Sequence, residues 1–265
     1  MATGEFCKSE KQGHVLTVTI NRPEVMNALH APANAELAAI WDEFAEDDDL
    51  WIGVLTGEGE RAFSAGNDLK YTAEMSRLAP EDRPVSRWNG GFGGITNRFD
   101  LFKPLVARVN GFALGGGFEM AMACDVIVAA DHAELGLPEP LRGLMAGAMG
   151  VHRLPRQMPL KNAMGYMLTG RHMSAARAYE LGIVNEVVSL SDLDDAVDSW
   201  VGDVLRCAPL SVRASKEASM LGLDMSLPKA GSTHFEWESR RRESEDAVEG
   251  PRAFAEKRSP NWIGR

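Results

Sequence analysis

The chain has 265 residues, 45% of them hydrophobic and 25% charged, which suits one large globular domain or one domain with a small appendage. A net charge of −10 lacks the basic footprint of a general nucleic-acid binder, although backbone N–H groups and a few local cations can still hold a small anionic ligand. The three cysteines include no C-x-x-C pair, the N-terminus has no apolar h-region, and no run of about 18 apolar residues follows, so a reduced, soluble, unprocessed, cytoplasmic protein is expected.

In chain order, His14–Pro23 is β-rich, with Val and Thr in short alternation, and Pro23 ends it because proline cannot join a ladder. Residues 33–49 place Leu37, Ile40, Trp41 and Phe44 at helical spacing, and the acidic run Glu46–Asp49 reads as a solvated helix end. Trp51–Gly57 is a short buried strand. Residues 78–94 are rich in Pro, Gly and Arg and end in Gly-Gly-Phe-Gly-Gly, which predicts a mobile loop and suggests a lid. Lys103–Gly111 and Asp125–Asp131 read as strands with their turns. Ser174 caps a helix that Gly182 closes, and Ile183–Val188 is another strand. Helices are expected over Asp192–Arg206, Pro209–Leu221 and Pro228–Val248, and Gly250–Arg258 reads as the start of one more, with Pro251 at its first position. Strand–helix units come first and helices last, which predicts an α/β core over residues 1–204 and a helical section over 205–265.

Two glycine turns carry candidate chemistry. In Phe63–Lys70, Gly66 permits a sharp turn from a strand into a helix start, whose unpaired N–H groups can face an anion. In Ala113–Met120, Gly115, Gly116 and Gly117 open a helix without matching a P-loop or a dinucleotide fingerprint. Each is readable as a bare turn. Together, two N–H groups from separate turns can grip one oxygen, as a developing carbonyl oxyanion requires. Glu119 follows the glycines among Phe118, Met120 and Met122, where burial would raise its pKa toward neutral, unless it lies on an exposed stripe. Glu139 stands between Pro138 and Pro140, held stiffly either for chemistry or as a surface loop residue. The six histidines lack metal-ligand spacing, and Ser64 is not in a G-x-S-x-G elbow.

The segments Thr19–Leu29, Arg61–Lys70, Lys103–Ala130, Leu135–Leu144, Leu168–Val188 and Ser244–Trp262, in this order, resemble the crotonase, or enoyl-CoA hydratase/isomerase, superfamily across nearly the whole chain. The resemblance implies a spiral of strand–strand–helix units, with C-terminal helices that assemble a homotrimer or a dimer of trimers. It implies acyl-CoA thioester substrates, no cofactor beyond the substrate's own coenzyme A, and an enolate held by the backbone N–H groups of Asn67 and Gly116. Both hydratase glutamates have matches, Glu119 and Glu139. The resemblance thereby implies an enoyl-CoA hydratase that adds water reversibly across a 2,3-unsaturated thioester, as in fatty-acid or related acyl-CoA breakdown. The coenzyme A stretch maps to Ala65, Gly66, Asp68 and Leu69, and Lys257 matches a lysine that reaches coenzyme A, often across a subunit boundary. Two departures bear on the acyl site: Asn67 replaces a small residue, and Ala146 and Met149 replace a proline and the first of two paired glycines. A carnitinyl-CoA-type dehydratase, a double-bond isomerase, an aromatic acyl-CoA hydratase-lyase, a catalytically silent acyl-CoA-binding subunit and a protein whose glycine turns are only turns remain as alternatives.

Overall fold

The computed structural model describes residues 4–84 and 87–265. Two residues of the predicted loop, Val85 and Ser86, lie outside that description. Strands β1 (Cys7–Gln12) and β2 (Val15–Ile20) form an antiparallel hairpin that turns at Gly13. Helix α1 (Ala31–Glu46) then crosses over, and β3 (Ile52–Gly57) returns parallel to β2.

From here the chain alternates between two sheets. After β3 come β4 (Ala62–Ser64) and α2 (Leu69–Met75). Next come β5 (Leu105–Val109), β6 (Phe112–Leu114) and α3 (Gly116–Ala121). The third unit is β7 (Val126–Ala130), β8 (Glu134–Gly136), α4 (Gly150–Gln157) and α5 (Leu160–Thr169). Strand β9 (His172–Ser174), helix α6 (Ala175–Glu180) and strand β10 (Glu186–Val188) complete the core, with Ser174 accepting a bond from the Arg177 N–H as helix cap. The large sheet runs β1-β2-β3-β5-β7-β10 and the small one β4-β6-β8-β9. Successive strand–strand–helix units thus wind as a spiral, the architecture expected from the sequence.

The large sheet is parallel apart from its β1 edge, and both faces are covered, which is why β3 is buried at every position. One face packs Leu16, Val18, Leu55 and Ala107 with Leu37, Trp41 and Phe44 of α1, with Phe118 of α3 and with Met122 at the end of that helix. The other packs Ile52, Val54, Val106 and Val128 with Leu193, Val197 and Val201 of α7 (Leu193–Leu205).

The C-terminal section holds α8 (Pro209–Gly222), α9 (Leu227–Ser232), α10 (Glu236–Glu243) and α11 (Asp246–Ala255). The single helix expected over Pro228–Val248 is therefore three. Thr233 leaves helical geometry while its hydroxyl donates to the Lys229 carbonyl. Ser244 donates to the Arg241 carbonyl and accepts from the Ala247 N–H, so its side chain replaces helix bonds at the second break. Pro251 falls inside α11 and not at its first position. Among the described residues no helix is long and apolar enough to cross a membrane.

The loop at Gly90–Gly94, expected to be mobile, is packed. Gly93 and Gly94 are buried. The Gly93 N–H donates to Asn34 Oδ1 of α1 at 2.7 Å. A methyl group on Gly93 would meet Met120 Sδ at 2.1 Å, and one on Gly94 would meet the Ala38 backbone at 2.6 Å. These glycines serve close packing against α1 and α3.

Candidate active site

Three neighbouring parallel strands of the small sheet each deliver one candidate segment at the C-terminal end. Strand β4 ends at Ser64 and leads to Ala65-Gly66-Asn67. Strand β6 ends at Leu114 and leads to the glycine triplet. Strand β8 ends at Gly136 and leads to Pro138-Glu139. Ligand sites in α/β proteins gather at such strand ends. The central strand places its turn against both neighbours. A methyl group on Gly66 would lie 2.7 Å from Gly116 N, and one on Gly115 would lie 3.0 Å from Glu139 Oε1.

Each glycine of the triplet has its own cause. Gly115 sits at φ +55°, ψ −126°, a conformation that side chains bar. Gly116 and Gly117 leave room for the Phe92 ring and the Ser64 carbonyl, which added methyl groups would meet at 2.5 and 2.0 Å. Gly116 is the first residue of α3, where the N–H has no intrahelical acceptor. Asn67 sits in a parallel bridge in which its neighbours make the bonds, Leu29 N–H to the Gly66 carbonyl and Asp68 N–H to the Leu29 carbonyl. Its own N–H therefore faces away from Leu29. Among the described residues neither the Asn67 nor the Gly116 N–H has an acceptor.

The Asn67 side chain folds back onto α2, its Nδ2 donating to Thr72 Oγ1 at 2.9 Å. The larger residue is thereby tied to the helix. Asp68 caps α2 by accepting from the Tyr71 N–H and forms an ion pair with Arg22 at 3.1 Å, both side chains only 11% exposed. Leu69 is exposed, and Ala65 is half-buried with its N–H donated to the Met26 carbonyl.

Glu119 is 3% exposed. Burial pushes its pKa from 4.5 to about 7; the Gly150 N–H opposes that rise and the Glu139 charge adds to it. Its Oε1 accepts from Gly150 N–H at 2.6 Å. Glu139 begins a 3-10 turn, Glu139–Arg142, and burial raises its pKa as well. Its Oε2 is buried and has no hydrogen-bond partner among the described residues. The site thus joins two carboxyl groups held toward the neutral form with two free N–H donors.

Ala146 is buried beneath this group, and Met149 takes a left-handed backbone, φ +78°, at the position that matched a glycine. Lys257 stands apart. It follows α11 in an exposed turn, also left-handed, and nothing within its own chain joins it to the other site residues among those described.

Residues that were not singled out from the sequence hold this frame. Arg22 donates to the Ala28 carbonyl as well as to Asp68. Buried Asn27 donates to the Glu58 and Ala62 carbonyls. Ser64 accepts from the Gly66 N–H and donates to the Asn27 carbonyl, so its hydroxyl is structural. Arg153 donates to the Thr96 carbonyl, and its charge partly offsets the rise at Glu119. The visible signal was a set of polar residues at Arg22, Asn27 and Ser64 beside apolar strands.

The family model described as enoyl-CoA hydratase/isomerase matches residues 10–265. Among curated proteins, carnitinyl-CoA dehydratase of Proteus mirabilis is 41% identical over 258 residues, covering 96% of this chain and 97% of that one. Carnitinyl-CoA dehydratase of Escherichia coli K12 is 40% identical over 259 residues, covering 96% and 97%. Among solved structures, an enoyl-CoA hydratase from Mycobacterium tuberculosis H37Rv superposes with a TM-score of 0.90 at 37% identity, covering 99% of this chain and 100% of that one. An enoyl-CoA hydratase from Bacillus anthracis gives 0.85 at 32% identity, covering 98% and 100%.

Proposed function

The chain belongs to the enoyl-CoA hydratase/isomerase family, and from that premise we propose that it is an acyl-CoA hydro-lyase that adds water reversibly across the 2,3 double bond of an enoyl-CoA thioester. One observation carries the reading. Glu119 and Glu139 flank the same glycine turn whose Gly116 N–H, with the Asn67 N–H of the adjoining turn, is free to meet a thioester oxygen.

In the hydration direction, the water oxygen bonds to Cβ and its proton passes to one carboxylate. The electron pair of the double bond moves toward the thioester, whose oxygen takes the charge between the Asn67 and Gly116 N–H groups. The enolate then collapses as Cα takes a proton from the other carboxyl group. Elimination runs these steps backward. Burial raises the pKa of both groups, and the Glu139 charge adds to the rise that brings Glu119 to about 7, where Glu119 can both gain and lose a proton. Backbone donors aimed at the developing oxyanion carry the charge, so the step asks for no metal or redox cofactor.

Ala65, Gly66 and Leu69 form the wall proposed for coenzyme A, and Asp68 holds that wall through Arg22. Lys257 is proposed to meet coenzyme A on a neighbouring subunit of a homotrimer or dimer of trimers. The strongly exposed Leu223, Leu227 and Phe254 of the C-terminal section support such an assembly.

A second reading places carnitinyl-CoA as the substrate, with the same carboxylates eliminating water. It is favoured by the 41% identity to the Proteus mirabilis dehydratase, against 37% to the Mycobacterium tuberculosis hydratase. The two separate on kcat/KM for hydration of crotonyl-CoA against dehydration of carnitinyl-CoA. A ratio of about 10² or more toward crotonyl-CoA supports the first, the reverse ratio supports the second, and turnover of neither thioester overturns the proposal.

A further inference from the structure

Glu119 owes its orientation to a turn that its own helix does not contain. Helix α4 begins at Gly150, and the residue before it, Met149, stands at φ +78°, ψ +2°. Side chains disfavour that left-handed region, and such strain persists only where the surroundings impose it. The surroundings here are specific. The Met149 carbonyl accepts from the His152 and Arg153 N–H groups, at 3.0 and 2.8 Å. Arg153 is anchored by its bond to the Thr96 carbonyl at 2.6 Å. The next peptide N–H, that of Gly150, points at Glu119 Oε1 at 2.6 Å. Gly150 must lack a side chain for this approach, since a methyl group there would stand 2.7 Å from the same oxygen.

We infer that Met149 is a positioning residue for the reaction: its left-handed backbone aims the Gly150 N–H at Glu119 Oε1, and so fixes the Glu119 carboxyl group and leaves its other oxygen for the reacting atoms. The torsion ψ of Met149 sets the plane of the Met149–Gly150 peptide, so any residue that abandons the left-handed region swings this N–H off the carboxylate. The property required at position 149 is the backbone conformation and not the thioether. The charged groups that bear on Glu119 are Glu139 from the 3-10 turn and Arg153 from α4, and the buried Cys124, beyond the end of α3, acts on Arg153. Two backbone groups favour the ionised form, the Gly150 N–H most and the Ala148 N–H less. The inference rests on reading Glu119 as an acid–base group.

The test is a backbone series at one site, using the full chain. Met149→Val places a β-branched residue where φ is positive, and is expected to lower kcat by about tenfold or more with KM changed by less than about threefold. It is also expected to move the acid limb of the pH–rate profile upward, because the ionised carboxylate loses its donor. Met149→Gly and Met149→Asn, which accept the left-handed region, are expected to rescue both effects while lacking the thioether. Loss of kcat in the glycine and asparagine variants would overturn the inference and assign the effect to the methionine side chain. A valine variant that loses melting temperature but keeps the native pH profile would overturn it too.

A second readout needs no turnover. Infrared difference spectroscopy can titrate the protonated Glu119 carboxyl band, identified by its loss in Glu119→Gln. If Met149→Val fails to fold, Met149→Gly remains decisive: the band must titrate as in the native chain, and a displaced titration overturns the inference. A native chain inactive on every thioester would remove the hydro-lyase reading, while the band titration would still decide the role of Met149.

Discussion

Replacing Glu119 with glutamine should make the protein more stable at alkaline pH while removing its activity. The carboxyl group is 3% exposed, and burial lifts its pKa from 4.5 to about 7. As pH rises through 4.5, the unfolded chain gives up this proton while the folded chain keeps it. Native stability therefore falls with pH until the folded group also ionises near 7, and stays lower above that. At about 1.4 kcal/mol per pKa unit, the buried carboxylate costs roughly 3 kcal/mol above pH 8 and nothing below pH 4. Glutamine cannot ionise. Its oxygen can keep the bond from the Gly150 N–H. Thermal melts at pH 8.5 should place Glu119→Gln roughly 6 °C above the native chain, at about 2 °C per kcal/mol for a protein of this size. The difference should vanish below about pH 4, where both chains carry a neutral side chain in either state. A variant that gains no stability at pH 8.5 relative to acid pH would refute the buried-carboxylate reasoning.

Further outcomes follow from the same geometry. Gly116→Ala puts a methyl group 2.5 Å from the Phe92 ring and should displace the oxyanion donor, lowering kcat by about 10² with a smaller effect on KM; unchanged kcat would place the donor elsewhere. Asp68→Asn breaks the part-buried pair with Arg22 and should cost about 2 kcal/mol, a melting-temperature loss of roughly 4 °C, with a raised KM for acyl-CoA. Lys257→Ala should raise the KM for acyl-CoA severalfold at low salt, less at high salt, and leave kcat in place, as steady-state kinetics would read; a salt-independent KM would remove Lys257 from the coenzyme A site.

Much of the large sheet was legible because its strands are short apolar runs rich in Val and Ile, bounded by Gly, Pro or Asp. Glu119 was legible for a related reason: it stands among Phe118, Met120 and Met122, and a stripe through it would have no other charged residue before Asp125. The small sheet was not. Strands β4, β6, β8 and β9 are three residues each, too short for any period, and they exist because neighbouring units place them side by side. The turn glycines were recognisable, but the contact of Gly66 with Gly116 is a product of that sheet. Gly90–Gly94 misled because glycine serves both mobility and close packing, and only the neighbouring Ala38 and Met120 decide which. The break at Thr233–Phe235 depends on one hydroxyl donating to one carbonyl, a competition that helix propensity does not register. Arg22 and Asn27 were visible as polar residues, yet their partners lie on other segments of the chain.

The most direct test follows the loss of the conjugated enoyl-thioester absorbance of crotonyl-CoA with the native chain, Glu119→Gln, Glu139→Gln and the double variant. Paired carboxylates acting on one water predict native turnover, a loss of about 10² or more in kcat for each single variant, and little further loss in the double, because the two groups act as a unit. A Glu139→Gln variant that keeps native kcat would contradict the account and leave Glu119 as the single acid–base group.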